Sequence, residues 1–193
     1  MIYFIDDFLP SYILDETIKD LSAQNYQELK TDNESFHYLM AKPGFIKYTI
    51  DSLEKLEGNK ITSILNWFRL SNDKIQDNWK IHSDGIIQGQ KPDRALVLYI
   101  SPKKKKDLHG TAFWEHKKHG KSLPYDTTGE EFDRMILKDS EDLSVWTLNT
   151  VVGYEQNRAI SYPANYFHSK YPNKSWKEGR EVFVMFYKTK INK

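Results

Sequence analysis

The organisation of this chain centres on the stretch Trp79-Lys-Ile-His82-Ser-Asp84-Gly85. In a β-strand successive side chains point to opposite faces, so His82 and Asp84 project from the same face. Two such groups at one edge can hold a metal ion, and His168 is the candidate third ligand. Two imidazoles and one carboxylate suit Fe(II) and leave coordination positions open. Arg180, twelve residues after His168 (168 to 180), can offer a cationic fork to a carboxylate.

Composition narrows the class of protein. A length of 193 residues with 39% hydrophobic and 14% aromatic content predicts a single domain, residues 1–193, with a core that needs no cross-links. The absence of cysteine excludes disulfides, thiolate metal sites and a cysteine nucleophile, and fits a reducing compartment. A formal net charge of +1 gives no reason to expect nucleic acid or an anionic membrane as partner. Since the N-terminus lacks a basic segment and no long apolar run follows, we expect a cytoplasmic location.

The sequence pattern of the N-terminal third predicts a helical layer. Ile2–Ile5 is β-prone and short, which favours a strand at a sheet edge. Ser11 begins a run to about Ala23 with apolar residues at helical spacing. Two further helices are predicted at Phe45–Leu56 and Ile61–Leu70, the second because apolar residues recur every three or four positions. We therefore expect residues 1–76 to form a mostly helical support.

The sequence pattern of residues 77–190 predicts an antiparallel β core. Short β-rich runs alternate there with turns, at 79–82, 95–100, 111–114, 145–154, 158–162, 166–168 and 181–188. Because 84 residues separate Asp84 from His168 (84 to 168), the architecture that fits is a jelly roll, in which early and late strands meet at one mouth. The expected fold class is thus mainly β with an N-terminal helical layer (α+β).

Two interruptions of the β pattern are predicted. An insertion at about 117–142 contains Thr128-Gly-Glu-Glu131, which is typical of a capping box and predicts a helix over the mouth. The run Lys103–Lys106 indicates either a solvated turn or a phosphate-contacting patch. Trp176, in the loop before Arg180, is a candidate for substrate contact or for rim packing.

Taken together, these residues resemble the Fe(II)- and 2-oxoglutarate-dependent dioxygenases, whose motif is His-x-Asp, a distant His, and an Arg or Lys about ten residues later. The matching residues are His82, Asp84, His168 and Arg180. The segments 157–168 and 94–101 are similar to the strands that precede the distal histidine and follow the His-x-Asp turn in the prolyl-hydroxylase-like branch, particularly its bacterial and phage members.

The resemblance implies a double-stranded β-helix (jelly roll, cupin-like) with iron held by the catalytic residues His82, Asp84 and His168. It implies that Arg180 and Tyr99 bind the distal carboxylate of the co-substrate 2-oxoglutarate, although valine replaces a serine often found at position 182. The implied partners are O2 and an unidentified peptide, amino acid or small polar substrate, which is hydroxylated at a C–H bond with release of succinate and CO2.

Three other readings remain open from the sequence. The chain can be a non-enzymatic jelly-roll module that binds a sugar or a protein. It can also use a metal for isomerase or hydrolase chemistry. His116 and His119 stand at a spacing that can hold zinc, although the intervening Lys117 and Lys118 and the following Gly120 favour an exposed turn.

Overall fold

The structure is a computed structural model that describes residues 1–30, 35–72, 80–101, 110–124, 126–171 and 179–190. Trp79, Lys103–Lys106 and Trp176 lie outside the described residues. The helices are α1 (Ser11–Ala23), α2 (Pro43–Glu57) and α3 (Gly129–Asp139). The strands are β1 (Tyr3–Ile5), β2 (Gln27–Lys30), β3 (Ser35–Leu39), β4 (Lys60–Ser71), β5 (Arg94–Tyr99), β6 (Gly110–His116), β7 (Trp146–Gly153), β8 (Ala159–Pro163), β9 (His168–Tyr171) and β10 (Arg180–Lys190).

Two antiparallel sheets form the core, as the β-rich pattern predicts. The large sheet has seven strands in the order β1-β8-β5-β10-β4-β3-β2, and the small sheet has three in the order β7-β6-β9. An isolated antiparallel bridge between His82 and His168 extends the small sheet beyond β9. Early and late segments therefore meet at the mouth of a double-stranded β-helix, and β1 lies at a sheet edge as predicted.

The two faces of the large sheet are buried differently. Its inner face packs against the small sheet through a cluster that includes Val97, Phe113 and Tyr162. Its outer face is covered by α1 and α2, which pack against a second cluster around Leu96 and Phe183. The helical layer is therefore present, and it leaves the inner face to form the site.

The predicted helix Ile61–Leu70 is wrong, because these residues form β4 between β10 and β3. The register of β4 against β10 slips between Phe186 and Tyr187, which leaves Ile64 as the extra residue of a bulge. A bulge inverts the alternation of side chains, so Ile61 and Phe68 both join the outer cluster. Their spacing of seven imitates two helical turns, which explains the error.

The description of residues 1–76 as mostly helical needs the same correction. Besides α1 and α2, this segment supplies four strands, β1 to β4, and β2 and β3 fall where the sequence predicts neither a helix nor a strand. Strand β2 is exposed along its length, so burial leaves no apolar pattern there. The extent of the single domain, residues 1–193, stays a prediction.

The insertion contains the predicted helix and its capping box. The Thr128 hydroxyl accepts a hydrogen bond from the Glu131 amide at 3.2 Å, and the Glu131 carboxylate accepts one from the Thr128 amide at 3.0 Å. Phe132 and Met135 of α3 pack against a third cluster that includes Phe167. The helix is thereby fixed beside the strand that carries His168. None of the helices in the described parts of the chain has the length and hydropathy needed to span a membrane.

Candidate functional site

Backbone pairing brings the two halves of the site together. His82 donates its amide proton to the His168 carbonyl at 3.0 Å, and His168 donates to the His82 carbonyl at 2.8 Å. The Asp84 amide then donates to the Ala164 carbonyl at 2.9 Å, in the turn that precedes β9. The turn at Gly85 is crowded, since a Cβ there would lie 3.2 Å from the Leu123 side chain. The predicted strand 79–82 is thus reduced to one bridge in its described part.

The three predicted ligands converge at this bridge. One ligand atom from each of His82, Asp84 and His168 lies within 4.8 Å of the other two. The His168 Nε2 atom is 3.2 Å from Asp84 Oδ2, and His82 Nε2 is 3.7 Å from Asp84 Oδ1. The cluster therefore brings two imidazole nitrogens and one carboxylate close together. This is the donor set of a facial non-heme iron site.

Backbone carbonyls engage the Nδ1 atom of both histidines and leave Nε2 to face the cluster. The Nδ1 atom of His82 donates to the Lys80 carbonyl at 2.8 Å, and that of His168 donates to the Tyr166 carbonyl at 3.0 Å. A proton fixed on Nδ1 leaves Nε2 as the ligand atom, and the backbone acceptors also fix the ring orientation. The local backbone therefore prepares both rings for a metal ion.

The electrostatics of the cluster favour a bound cation. Burial and the neighbouring His168 lower the pKa of His82 to about 4, so this ring is neutral at pH 7. Burial alone would raise the pKa of Asp84, but the charges of the two histidines hold it below its usual value. Burial opposes protonation of His168, yet the Asp84 carboxylate keeps the pKa of His168 above its usual value. Because a ligating histidine must be deprotonated, metal binding at His168 would compete with its protonation.

Tyr162 is a site residue that the motif did not indicate. Its hydroxyl lies 3.3 Å from Asp84 Oδ2 and 3.1 Å from His168 Nε2, and the side chain is buried. Burial and the nearby Asp84 charge raise the pKa of Tyr162 well above its usual value, so the hydroxyl keeps its proton. The β-strand period alone could have placed Tyr162 on the inner face, but not beside these ligands.

A cavity of about 400 Å³ opens in front of the cluster, between the two sheets. All three candidate ligands line it, and so does Arg180. Its apolar wall is formed by inner-face side chains of the large sheet and by residues of the 86–87 turn and α3, namely Trp67, Val97, Val182, Val184, Phe186, Ile86, Ile87 and Phe132. The ligand cluster and the predicted carboxylate-binding arginine thus line the same cavity.

Arg180 lies at the buried end of this cavity. The side chain is only 5% exposed, and its Nε atom has no hydrogen-bond partner among the described residues. Its guanidinium carbon lies 5.3 Å from the ring centre of Tyr99, which is fully buried. The Tyr99 hydroxyl is 2.8 Å from the Thr111 hydroxyl, and Thr111 itself lines the cavity. A buried cation with an adjacent hydroxyl suits a carboxylate group.

Thr111 lines the cavity with a hydroxyl, which Val182 does not offer. Val182 faces the cavity as an apolar side chain, whereas Thr111 presents a buried hydroxyl from the opposite sheet. Sequence reasoning missed Thr111 because contact between the two sheets has no signal in local spacing. Direct binding of a carboxylate by Tyr99 stays a prediction, since its hydroxyl reaches the cavity through Thr111.

The alternative zinc site at His116 and His119 is not supported. The Nδ1 atom of His116 accepts hydrogen bonds from the amides of Lys118 and His119, at 3.1 and 3.2 Å. Its Nε2 atom donates to the Asp139 carboxylate at 3.3 Å. Both nitrogens of His116 are therefore engaged in holding a turn against α3.

Comparison with known proteins gives structural matches only. No protein-family model matches the chain, and no curated protein sequence matches it. HygX from Streptomyces hygroscopicus, solved with nickel, 2-oxoglutarate and hygromycin B, is similar with a TM-score of 0.62 and 12% identity, over 98% of this chain and 83% of that one. A Pseudomonas putida prolyl-4-hydroxylase is similar with a TM-score of 0.59 and 10% identity, over 98% and 92% of the two chains.

A third solved structure has the same architecture. It is the epimerase SnoN of nogalamycin biosynthesis, in complex with Fe3+, alpha-ketoglutarate and nogalamycin RO. Its TM-score is 0.64 with 13% identity, over 97% of this chain and 78% of that one. The described chain therefore has the double-stranded β-helix fold of these three structures, with its His-Asp-His cluster at the mouth of the barrel.

Proposed function

We propose that this protein is an Fe(II)- and 2-oxoglutarate-dependent dioxygenase that hydroxylates a C–H bond of a peptide, amino acid or small polar substrate. The observation that carries the proposal is the convergence of His82, Asp84 and His168 within 4.8 Å, with both Nδ1 atoms held by backbone carbonyls. Similar solved structures contain metal with 2-oxoglutarate, which supports the same use of this fold.

The residues present fit both groups. Two neutral imidazoles and a carboxylate would hold Fe(II) through three protein atoms, and Arg180 with Thr111 and Tyr99 would hold the distal carboxylate of 2-oxoglutarate. When bound, iron and 2-oxoglutarate supply oxidation by O2, with release of succinate and CO2. Apolar side chains line one wall of the same cavity, where they would favour exclusion of water from the bound groups.

Hydroxylation is the outcome we assign, although the fold supports others. Asp84 occupies the third protein ligand position, where a halogenating enzyme would leave room for halide. The fold is also that of an epimerase, so the fate of the substrate depends on what the cavity holds near the cluster. A cytoplasmic location belongs to the proposal and is supported by the absence of cysteine, which fits a reducing compartment.

Anaerobic titration tests the metal centre and the co-substrate together. Addition of Fe(II) and then 2-oxoglutarate should give a weak visible charge-transfer band at one equivalent per chain, and admission of O2 should yield succinate. His82→Ala and His168→Ala should lose both signals. His37→Ala is the matched control, because His37 lies on β3, and its Nε2 is 3.8 Å from Glu28.

The outcomes separate the alternatives left open by the sequence. A chain that holds no divalent metal would be a binding module, and the proposal would fail. A chain that binds metal but neither binds nor consumes 2-oxoglutarate would perform other metal chemistry, as an isomerase or a hydrolase does. If His37→Ala also lost the band, the loss in the His82 and His168 variants could be explained by a change in folding.

A further inference from the structure

The strand register gives the cavity two ends, one at the metal ligands and one at the predicted co-substrate arginine. Arg180 begins β10, and Phe186 follows on the same face six residues later (180 to 186), roughly 20 Å along the strand. Phe186 pairs with Ala95, which pairs on its other side with Tyr162. The Tyr162 hydroxyl contacts two of the candidate metal ligands. The row of residues through Phe186 therefore marks the metal end of the cavity.

Trp67 belongs to the metal end. It pairs with Val184 across β4 and β10, and Val184 is the inner-face neighbour of Phe186 on its strand. The rings of Trp67 and Phe186 have their centres 5.6 Å apart, and both side chains line the cavity. The tryptophan is partly buried against the inner-face cluster of the large sheet. It therefore presents apolar surface to the cavity near the ligand cluster.

A tight turn just after the His-x-Asp motif adds two apolar side chains. Ile86 and Ile87 both line the cavity. Ile87 exchanges backbone hydrogen bonds with Gln90 at 2.8 and 2.9 Å, and the intervening Gln88 and Gly89 have φ values of 49° and 71°. Positive φ at both central residues is what a two-residue type I′ turn requires. A non-glycine residue such as Gln88 adopts this conformation only where its surroundings fix it, so the turn holds both isoleucines in place.

Phe132 comes to the same end of the cavity from the α3 insertion. It lines the cavity and packs against the third cluster, which includes Ile81 and Phe167. Each of these two residues directly precedes a candidate histidine ligand in the sequence. The capping box fixes the start of α3, and the Ile81 amide donates to the Ser140 carbonyl at 3.1 Å just beyond its end. The position of the phenyl ring is thereby set from both ends of the helix.

The arginine and lysine side chains among the described lining residues are already engaged. Arg69 and Lys170 have interaction partners, and Lys80 pairs with Glu141 at 3.9 Å. Arg180 is assigned to the co-substrate. A charged substrate group at the metal end would give up its hydration and compete with these existing partners. An apolar group would instead bury surface against the apolar side chains of that end, which favours its binding.

Resting on the proposed function, we propose that the side chains of Trp67, Ile86, Ile87 and Phe132 form an apolar slot for an uncharged aliphatic or aromatic group of the primary substrate. The slot holds this group beside the ligand cluster, and burial of apolar area supplies the affinity. Its four side chains come from three separate segments of the chain, each held by its own contacts. Among the proposed substrates, the slot selects an amino acid or a peptide with an apolar side chain.

Calorimetric titration of the anaerobic Fe(II) protein, saturated with 2-oxoglutarate, tests the selectivity of the slot. The probes are N-acetylleucinamide, N-acetylphenylalaninamide, N-acetylglutaminamide and N-acetyllysinamide, which share neutral ends and differ in the side chain. The leucine and glutamine probes are similar in size, so their comparison isolates polarity. We expect the leucine or the phenylalanine probe to bind at least about tenfold more tightly than the glutamine and lysine probes.

Proton relaxation tests where the side chain of the probe lies. Mn(II) replaces Fe(II) for this measurement, because it is paramagnetic and leaves the bound 2-oxoglutarate intact. The side-chain protons of the tighter apolar probe should relax faster than its acetyl protons, since the slot places the side chain nearer the metal.

Variants assign the preference to the slot. Trp67→Gln and Phe132→Gln should each weaken the tighter apolar probe about tenfold or more, because a polar group replaces buried apolar surface. Phe132→Leu should recover part of the affinity, since it keeps an apolar side chain. The 2-oxoglutarate affinity of these variants should change less than their probe affinity. Phe4→Gln is the matched control, because it removes a phenyl ring that is 62% exposed on the edge strand β1.

Four results would overturn this inference. They are equal binding of the four probes, absence of binding by both apolar probes, an unchanged apolar preference in Trp67→Gln and Phe132→Gln, and faster relaxation of the acetyl protons. If the protein binds neither metal nor 2-oxoglutarate, the proposed function fails. The side-chain preference and its loss in the two variants are then measured on the metal-free protein, so the slot is judged separately.

Discussion

Replacement of Arg180 by glutamine tests the co-substrate site most directly. The side chain is 5% exposed and its Nε atom has no partner among the described residues, so the guanidinium is held ready for an anion. Hydrogen bonds to charged groups contribute about 1.5–3 kcal/mol, so the Kd for 2-oxoglutarate should rise about ten- to hundredfold. Fe(II) affinity should be retained, because the metal ligands come from other segments of the chain.

The same substitution weakens 2-oxoglutarate binding but should not lower the thermal stability of the protein when 2-oxoglutarate is absent. A buried charge without a full set of partners costs free energy, so the ligand-free Arg180→Gln protein should unfold at the same or a higher temperature than the wild type. At a hundredfold excess over Kd, a ligand stabilises the folded state by about 2.7 kcal/mol. The wild type should gain this amount from 2-oxoglutarate, and the variant should gain much less.

Thermal denaturation of the anaerobic Fe(II) protein, with and without 2-oxoglutarate, measures both effects. Arg180→Lys is the companion variant, since it keeps the charge but loses the planar fork, and it should give an intermediate Kd. The reasoning is refuted if Arg180→Gln binds 2-oxoglutarate with wild-type affinity, or if it loses iron at the same time. The first result would assign the carboxylate to another cation, and the second would indicate a change in the fold.

Four further substitutions test the site and the packing of the fold that holds it. Tyr162→Phe should lower Fe(II) affinity about tenfold without a change of fold, because outer hydrogen bonds orient metal ligands, and unchanged affinity in a metal titration would argue against that role. Asn157→Ala should lower the unfolding free energy by about 2–4 kcal/mol, since the side chain bonds both the amide and the carbonyl of Leu9 at 2.9 and 2.8 Å and has a φ of 66°; urea denaturation measures this. Gly110→Ala should also destabilise the protein, because a Cβ there would overlap the backbone carbonyl of Val152 in β7, whereas Gly129→Ala meets nothing within 4 Å and should be tolerated.

Much of the β core could be predicted from the sequence. Strand-forming runs separated by turns correspond to β5, β6, β7, β8 and β10, and the Thr128–Glu131 capping box marks the start of α3. These signals are local, because alternation and capping depend on residues a few positions apart. Strand β4 was predicted wrongly for the same reason: its bulge at Ile64 produces a helical spacing that local pattern cannot distinguish from a helix.

The sequence by itself determined the types of donor at the site and the direction in which His82 and Asp84 point. It did not determine which hydroxyls and cations stand around them. Tyr162, Thr111 and Arg69 come from three different strands, and only the register of two facing sheets places them beside the predicted ligands. Side-chain period is a property of one strand, whereas a cavity depends on contacts between residues far apart in the chain. The tertiary structure therefore decided the shape and the lining of the cavity.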